Sequence, residues 1–77
     1  MDALQTMRVD VRDMLCAQAL AVVGDAIKPL RSGDALDVVY NAEDVKQDLI
    51  IWASDRGYDV RPVSDTVLRI AVAPNGV

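Results

Sequence analysis

Hydrophobic and polar residues alternate in four short stretches of the chain, residues 6–11, 35–40, 58–63 and 67–72. Alternation with a period of two is typical of strands that bury one face. It predicts two sets of core-facing side chains, Met7, Val9 and Val11 in the first strand and Leu36, Val38 and Tyr40 in the second. Because Pro62 lacks a backbone N–H, the third strand is expected either to lie at an edge of the sheet or to end early.

Two other stretches, residues 17–28 and 42–56, have hydrophobic residues at helical spacing. The expected buried stripes are Leu20, Val23 and Ile27, flanked by Val22 and Ala26, in the first helix, and Val45, Leu49, Trp52 and Ala53 in the second. Asn41 is expected to cap the second helix, and Gly57 is expected to end it. Trp52 is assigned to the core in preference to a groove for a partner.

The order strand, helix, strand, helix, strand, strand predicts an α/β (α+β) two-layer sandwich. Each helix has one apolar stripe, so both helices should cover one face of a four-stranded sheet. The first two strands are expected to run parallel through a right-handed crossover, and the last two to form a hairpin, which gives a mixed sheet. We expect a single domain over residues 1–77, with an ordered core of about residues 6–72 between a loose leader and a tail.

The polar positions of the strands are expected to place charged residues on the open face of this sheet. They are Arg8, Asp10, Arg61 and Arg69. This face is either a hydrated surface or a surface for docking or self-association. It offers no aromatic side chains on which RNA bases would stack.

Composition excludes several classes of function. The 77 residues carry a net charge of −4, which argues against binding to nucleic acid or to an anionic membrane surface. The chain has no histidine and one cysteine, which excludes histidine catalysis, a zinc ribbon and a CxxC redox pair, so no metal site is expected. A single cysteine without a secretory signal indicates a cytoplasmic setting, and no apolar run is long enough for a transmembrane helix.

The one cysteine, Cys16, lies where the first strand gives way to the first helix. The unpaired N–H groups and the positive dipole end at a helix start favour the thiolate. Because the thiolate is the nucleophile, Cys16 is the predicted reactive residue. The alternative is that Cys16 is an inert, buried small hydrophobe.

The four residues before Cys16 are candidates for tuning the thiol or docking a partner. Arg12 either stabilises a thiolate or persulfide or, as the strand alternation favours, is a solvated charge. Asp13 is expected to cap the helix, and its negative charge is also a reason for a raised thiol pKa. Met14 and Leu15 either form a small exposed apolar patch for a partner or belong to the core.

Several segments occur in the order and at the spacing of a known family. They are Val9-Asp10 and Met14-x-Cys16, then Leu30-Arg31-Ser32-Gly33 with Leu36 and Val38, then Asp48-Leu49-Ile50-Ile51-Trp52 and Gly57-Tyr58. On these segments the chain resembles the TusA-like sulfur carriers, also called SirA-like or YedF-like proteins. The family's Cys-Pro-x-Pro is here Cys16-Ala17-Gln18-Ala19, the glycine before it is Asp13, and the Asp-Pro that opens the second helix is Asn41-Ala42.

The resemblance implies a sulfurtransferase-type sulfur carrier and not a turnover enzyme. In such a carrier Cys16 accepts sulfane sulfur as a persulfide and relays it to an acceptor protein. The implied donor is a cysteine desulfurase or a rhodanese-type protein, and no metal or organic cofactor is implied. The oligomeric state stays open. Two alternatives remain: a non-catalytic interaction module of the same fold, suggested by the altered motif, and a single-cysteine redox sensor.

Overall fold

The computed structural model describes residues 6–31 and 33–72, and these contain the six predicted elements in the predicted order. The elements are β1 (Thr6–Asp10), α1 (Cys16–Ile27), β2 (Ala35–Val39), α2 (Glu43–Asp55), β3 (Asp59–Ser64) and β4 (Val67–Ala71). Every boundary lies within one residue of its prediction. The predicted leader and tail, residues 1–5 and 73–77, lie outside the described residues.

The four strands form one mixed sheet in the order β1-β2-β4-β3. β1 pairs in parallel with β2, whereas β4 pairs antiparallel with both β2 and β3. The predicted α+β fold with a parallel pair and a hairpin is therefore confirmed. β3 is an edge strand, the first of the two outcomes expected from Pro62, and its register with β4 shifts between Pro62 and Ser64.

Both helices pack on one face of this sheet and enclose the core. Its buried side chains are Val11, Ala19, Val23, Ile27, Leu36, Val38, Tyr40, Val45, Leu49, Ala53, Leu68 and Ile70. The prediction for β2 is confirmed, since alternate residues of that strand enter the core. Gly57 follows the end of α2 with φ of 81°, a conformation that glycine adopts without strain, so the predicted helix stop is also confirmed.

Several side chains predicted for the core are less buried than expected, and the half-buried ones include Val9, Val22 and Ala26. Met7 is 42% exposed, because β1 is an edge strand and has a neighbouring strand on one side only. Leu20 and Trp52 are half-buried and pack against the edge of the core. In α1 the fully buried position next to Leu20 belongs to Ala19.

The other face of the sheet carries a row of charged residues in register. From β1 to β3 the row is Arg8, Asp37, Arg69 and Arg61. Arg69 donates two hydrogen bonds to Asp37, from Nε to Oδ1 (2.8 Å) and from Nη2 to Oδ2 (3.1 Å). The three arginines share this face as predicted. Asp37, which was not singled out from the sequence, is only 6% exposed between its two arginine neighbours.

Candidate functional site

A loop of five residues, 11–15, joins β1 to α1, and every backbone N–H group in it donates a hydrogen bond. The N–H of Val11 donates to a carbonyl of β2 (2.8 Å), and that of Met14 donates to the carbonyl of Val11 (3.3 Å). The other three donate to the side chains of Asp10 (3.0 Å), Asn41 (3.0 Å) and Gln18 (3.3 Å). We call this segment the thiol loop because Cys16 directly follows it. Hydrogen bonds therefore restrain the backbone along the whole loop.

Asp13 and Asn41 are joined across the site by two hydrogen bonds. The backbone N–H of Asp13 donates to Asn41 Oδ1 (3.0 Å), and Asn41 Nδ2 donates to Asp13 Oδ1 (2.9 Å). The two predicted helix caps are therefore wrong. Leu15 and Ala42 occupy the N-cap positions of α1 and α2, and the side chain of neither residue accepts a hydrogen bond from its helix. Both polar side chains bind each other instead.

Cys16 is the first residue of α1, as the change of pattern predicted within one residue. Its side chain is half-buried, so it is neither a core residue nor fully exposed. Leu15, directly before it, has no oxygen with which to cap the helix, while Gln18 Oε1 accepts from the Leu15 N–H (3.3 Å). Cys16 thus lies at an uncapped helix start, where N–H groups favour a negative sulfur.

The electrostatic surroundings of the thiol differ from the prediction. A hydrogen bond to the Asp48 carboxylate raises the pKa of Cys16, and partial burial and the negative charges of Asp48 and Asp44 raise it further. The backbone N–H of Cys16 itself acts in the opposite direction. The expected thiolate-favouring effect of the helix start is present, but the carboxylates of α2 outweigh it. The balance in the free protein favours the protonated thiol.

The remaining predicted site residues, Arg12, Met14 and Leu15, differ in exposure and in their contacts. Arg12 is exposed and bound to Asp10 through its backbone N–H and its guanidinium, with Nη2 2.7 Å from Oδ2. This pairing lowers the pKa of Asp10 to about 2. Arg12 is thus engaged by a carboxylate beside the loop, in agreement with a solvated charge. Met14 is half-buried against the core, whereas Leu15 is 74% exposed.

Comparison with known proteins gives the family. A family model described as sulfurtransferase TusA matches residues 7–73, which include the whole thiol loop, Cys16 and both helices. The chain belongs to the TusA family. Neither the curated proteins nor the solved structures gave a match. TusA-family proteins work in sulfur relay with partner proteins.

The TusA-family domain carries an excess of acidic groups around this thiol. We use the name thiol end for three segments together: the thiol loop, the first turns of both helices and the β3–β4 turn. The β3–β4 turn is included because the N–H of Tyr40, which directly follows β2, donates to the carbonyl of Thr66 in that turn (2.9 Å). Its described acidic residues are Asp13, Glu43, Asp44 and Asp65, and its described basic residues are Arg12 and Lys46. Asp10 and Asp48 lie directly beside it, at the end of β1 and in the second turn of α2. A partner that approaches Cys16 therefore meets a negative surface.

A groove of about 650 Å³ lies near the other end of the two helices. Its lining includes Leu20, Gly24 and Trp52, and the guanidinium of Arg56 lies 4.8 Å from the Trp52 ring centre. Trp52 thus combines the two roles weighed from the sequence, since it packs on the core and lines a groove. Cys16 is not among the residues that line this groove. Among the described residues no helix is long and apolar enough to cross a membrane.

Two residues of the site were missed by sequence reasoning. Asp48 was seen only as part of a family segment, and Asn41 only as a helix cap. A signal for Asp48 was present, because Asp44 and Asp48 are four residues apart and so lie on one face of α2. No signal in the sequence pairs Asn41 with Asp13, since 28 residues separate them.

Proposed function

We propose that this TusA-family domain is a sulfur carrier that accepts sulfane sulfur on Cys16 as a persulfide and passes it to an acceptor protein. The observation that carries the proposal is the position of the chain's one cysteine at the start of α1, within the segment that the family model matches. The side chain is half-buried at the end of a fixed loop, so a partner's sulfur has access to it from one side.

The transfer is redox-neutral. The Cys16 sulfur attacks the outer sulfur of a donor persulfide, forms a new S–S bond, and the donor's S–S bond breaks to release its thiol. Cys16–SH and donor–S–SH thus become Cys16–S–SH and donor–SH, and the proton of Cys16 ends on the departing donor thiol. The second transfer, to the acceptor, repeats this exchange in the opposite sense. No metal or organic cofactor takes part in either step.

The raised thiol pKa has a consequence for this chemistry. Only the thiolate attacks, and Asp48 and Asp44 keep the thiolate fraction small in the free protein. A positive group of a docked partner would offset these carboxylates and raise that fraction. The carrier is thus expected to react faster with a protein donor than with a small molecule of similar reactivity.

Docking requires a surface beside the thiol, and Leu15 is the described residue best placed to supply it. It is a large apolar side chain, 74% exposed, next to Cys16, at the end of the domain that carries more acidic than basic residues. A complementary partner has an apolar recess and a basic rim, because opposite charges speed association. The partners we propose are a cysteine desulfurase or rhodanese-type donor and an acceptor protein, in the cytoplasm.

The proposal is tested by intact-protein mass spectrometry. Wild type and Cys16→Ser are incubated with a cysteine desulfurase and cysteine, and separately with a rhodanese and thiosulfate. We expect the wild type to gain the mass of one sulfur, removable by reductant, and Cys16→Ser to gain none.

No gain with either donor, in a protein whose thiol alkylates slowly, would contradict the carrier function and favour the interaction module. The raised thiol pKa is the observation that keeps this module as the second candidate. Disulfide formation on addition of peroxide, without any sulfur gain from the donors, would instead indicate a redox sensor.

The role of Leu15 is tested separately from the chemistry. Leu15→Ser is compared with Ile51→Ser, which removes another exposed apolar side chain, 61% exposed, from the outer surface of α2. We expect Leu15→Ser to slow loading by the donor protein several-fold, while loading by inorganic polysulfide is unchanged. Added salt should also slow loading by the protein donor. Equal loading of both variants by the protein donor would exclude Leu15 from the docking surface.

A further inference from the structure

The thiol loop contains a backbone conformation that needs an explanation. Asp13 has φ of 65°, in the left-handed region that L residues other than glycine adopt rarely. Asparagine and aspartate tolerate this region better than other residues, because their short side chains form local hydrogen bonds. Such a conformation persists where the surrounding structure holds it. At Asp13 the contacts that hold this conformation come from a residue outside the thiol loop.

The restraint is the pair of hydrogen bonds between Asp13 and Asn41. One uses the backbone N–H of Asp13 (3.0 Å) and the other uses its carboxylate (2.9 Å), so the amide of Asn41 fixes both the main chain and the side chain. Asn41 lies directly after β2 and before α2. Both residues are exposed, so burial does not explain why they meet.

This pair also ties together the starts of the two helices. Cys16 follows Asp13 by three residues at the first position of α1, and Asp44 follows Asn41 by three residues in the first turn of α2. The carboxylate of Asp48, one turn further along α2, is the main cause of the raised pKa of the thiol. The position of the Cys16 sulfur relative to these carboxylates therefore depends on the link between the two loops.

We propose that Asp13 and Asn41 are positioning residues for Cys16, whose paired hydrogen bonds hold the thiol loop and set the sulfur against the first turns of α2. The inference rests on the proposed function only in taking Cys16 as the reacting residue. Neither Asp13 nor Asn41 touches the transferred sulfur in this role. Both act through the backbone that carries the thiol.

The chemistry of the pair provides variants that separate geometry from charge. Asp13→Asn keeps both hydrogen bonds, because the new amide oxygen still accepts from Asn41, and it removes the charge. Asn41→Ala removes both bonds. Asn41→Asp keeps the bond from the backbone N–H but sets two carboxylates against each other. Combining Asn41→Asp with Asp13→Asn restores both hydrogen bonds: the backbone N–H of residue 13 still donates to residue 41, and the bond between the two side chains runs in the opposite direction.

The first measurement is the titration of the Cys16 thiol, followed by the ultraviolet absorbance of the thiolate, together with the melting temperature of each variant. We expect Asp13→Asn to titrate as wild type and Asn41→Ala to titrate at lower pH, because the sulfur is no longer held against Asp48. Asn41→Asp should also depart from the wild-type curve, because its two facing carboxylates repel each other. The double variant should return to the wild-type curve. A general loss of stability does not produce this order of curves.

A control and a second variant keep the test decisive. Gln47→Ala removes another exposed amide of α2, which donates to Glu43 (3.2 Å), and should leave the titration unchanged. If Asn41→Ala fails to fold, Asp13→Gly serves in its place, because glycine adopts the left-handed conformation freely but loses the bond from Asn41. A wild-type titration curve for Asn41→Ala or Asp13→Gly, or a double variant that titrates like Asn41→Asp alone, overturns the proposal.

The second measurement is persulfide loading by a cysteine desulfurase and cysteine. We expect loading of Asn41→Ala to be several-fold slower than wild type, because loss of the fixed loop position costs more at a protein donor than the larger thiolate fraction gains. Loading of Asp13→Asn should be unchanged. The titration needs no sulfur donor, so it tests the positioning role even if Cys16 accepts no sulfur. If a folded Asn41→Ala loads normally but its thiol titration is shifted, the Asp13–Asn41 hydrogen bonds affect the thiol pKa without affecting sulfur transfer. This outcome overturns their proposed role in the relay.

Discussion

The state of Cys16 is decided by carboxylates that approach it from the second helix. The residue begins α1, where backbone N–H groups favour a negative sulfur, yet its pKa is raised because its thiol hydrogen-bonds to Asp48 and lies near Asp44. Two opposing effects thus act on one atom, and the one from the neighbouring helix is larger. Sequence position alone does not reveal the balance.

Replacing Asp48 by asparagine tests this balance. Asp48→Asn keeps the size and a hydrogen-bonding group but removes the charge, so we expect the Cys16 pKa to fall and alkylation by iodoacetamide at neutral pH to become several-fold faster. Asp55→Asn, two turns further along α2, is the control and should leave the rate unchanged. Equal rates for both variants would mean that Asp48 does not hold the thiol proton.

The two glycines of the helical layer should respond oppositely to alanine. A Cβ on Gly57 meets nothing within 4 Å, yet φ is 81°, so Gly57→Ala should cost about 1–2 kcal/mol from backbone strain alone. A Cβ on Gly24 lies 3.7 Å from Trp52 Cζ2, an ordinary contact within a helix. Gly24→Ala should therefore stabilise the protein by up to about 1 kcal/mol.

Urea unfolding of both glycine variants measures these changes. An unchanged midpoint for Gly57→Ala would show that the turn after α2 relaxes without cost. A lower midpoint for Gly24→Ala would contradict the room that the structure leaves for a methyl group beside Trp52.

Residue roles divide into those that sequence patterns reveal and those that they do not. The place of Cys16 followed from the change of hydrophobic period, which is a local property. The roles of Asp13 and Asn41 did not follow, because both are residue types that commonly cap helices and both stand near helix starts. Their partnership depends on the parallel pairing of β1 and β2, which brings the two loops to one end of the sheet.

At the scale of elements, each helix has one buried stripe and an outer surface, and neighbouring positions differ sharply. In α2, Leu49 is fully buried whereas Ile51 is 61% exposed. Burial of an aliphatic side chain, and not its hydrophobicity as such, determines its contribution to stability. The two residues offer a matched comparison within one helix.

Truncating each of these side chains to alanine should give very different results. Leu49→Ala leaves a cavity in the core and should lower the free energy of unfolding by about 2–5 kcal/mol. Ile51→Ala should change it by no more than about 0.5 kcal/mol. Urea titrations followed by circular dichroism measure both, and losses of similar size would contradict the packing described for α2.

Element boundaries were predictable here because strong local signals surround each element. Proline, glycine and the alternation of polar residues located six elements to within one residue. The extent of burial along a helix was less predictable. An apolar stripe shows which side of the helix faces the core, but Leu20 and Trp52 lie at the edge of the core and are only half-buried. Only the packing of the layers determines how far the core extends around each helix.

At the scale of the molecule, the charged row on the open sheet face links stability to pH. Hydrogen bonds from Arg69 hold the pKa of Asp37 below its usual value in the folded protein. A carboxyl group whose pKa is lower when folded stabilises the fold above its unfolded pKa of about 3.9. This contribution is lost as the pH falls through the lower, folded value.

Thermal unfolding at a series of pH values tests this link. We expect a nearly constant melting temperature above about pH 5 and a decline on acidification, since the paired carboxylates must then be protonated. Asp37→Asn should melt at a lower temperature near neutrality and decline less steeply in acid. Asp65→Asn, in the exposed β3–β4 turn, is the control. Parallel acid declines for Asp37→Asn and wild type would exclude Asp37 as a cause.

The whole arrangement of strands was predictable because few topologies satisfy the order of elements. A strand, helix and strand in sequence favour a parallel pair, and two closely spaced strands favour a hairpin. The burial of Asp37 was not predictable from its alternating place in β2, because it depends on arginines from β1 and β4 in the same row. Local periodicity gives the face of a side chain, and long-range register gives its neighbours.

The two edges of the sheet are not equally open to strand addition from another molecule. An added strand needs a regular row of free backbone donors and acceptors. On β3, Pro62 removes one donor, and the register shift before Ser64 interrupts the row, so this edge is a poor template. The five residues of β1, Thr6–Asp10, contain no proline and pair without a shift. Aggregation through the sheet would therefore begin at β1.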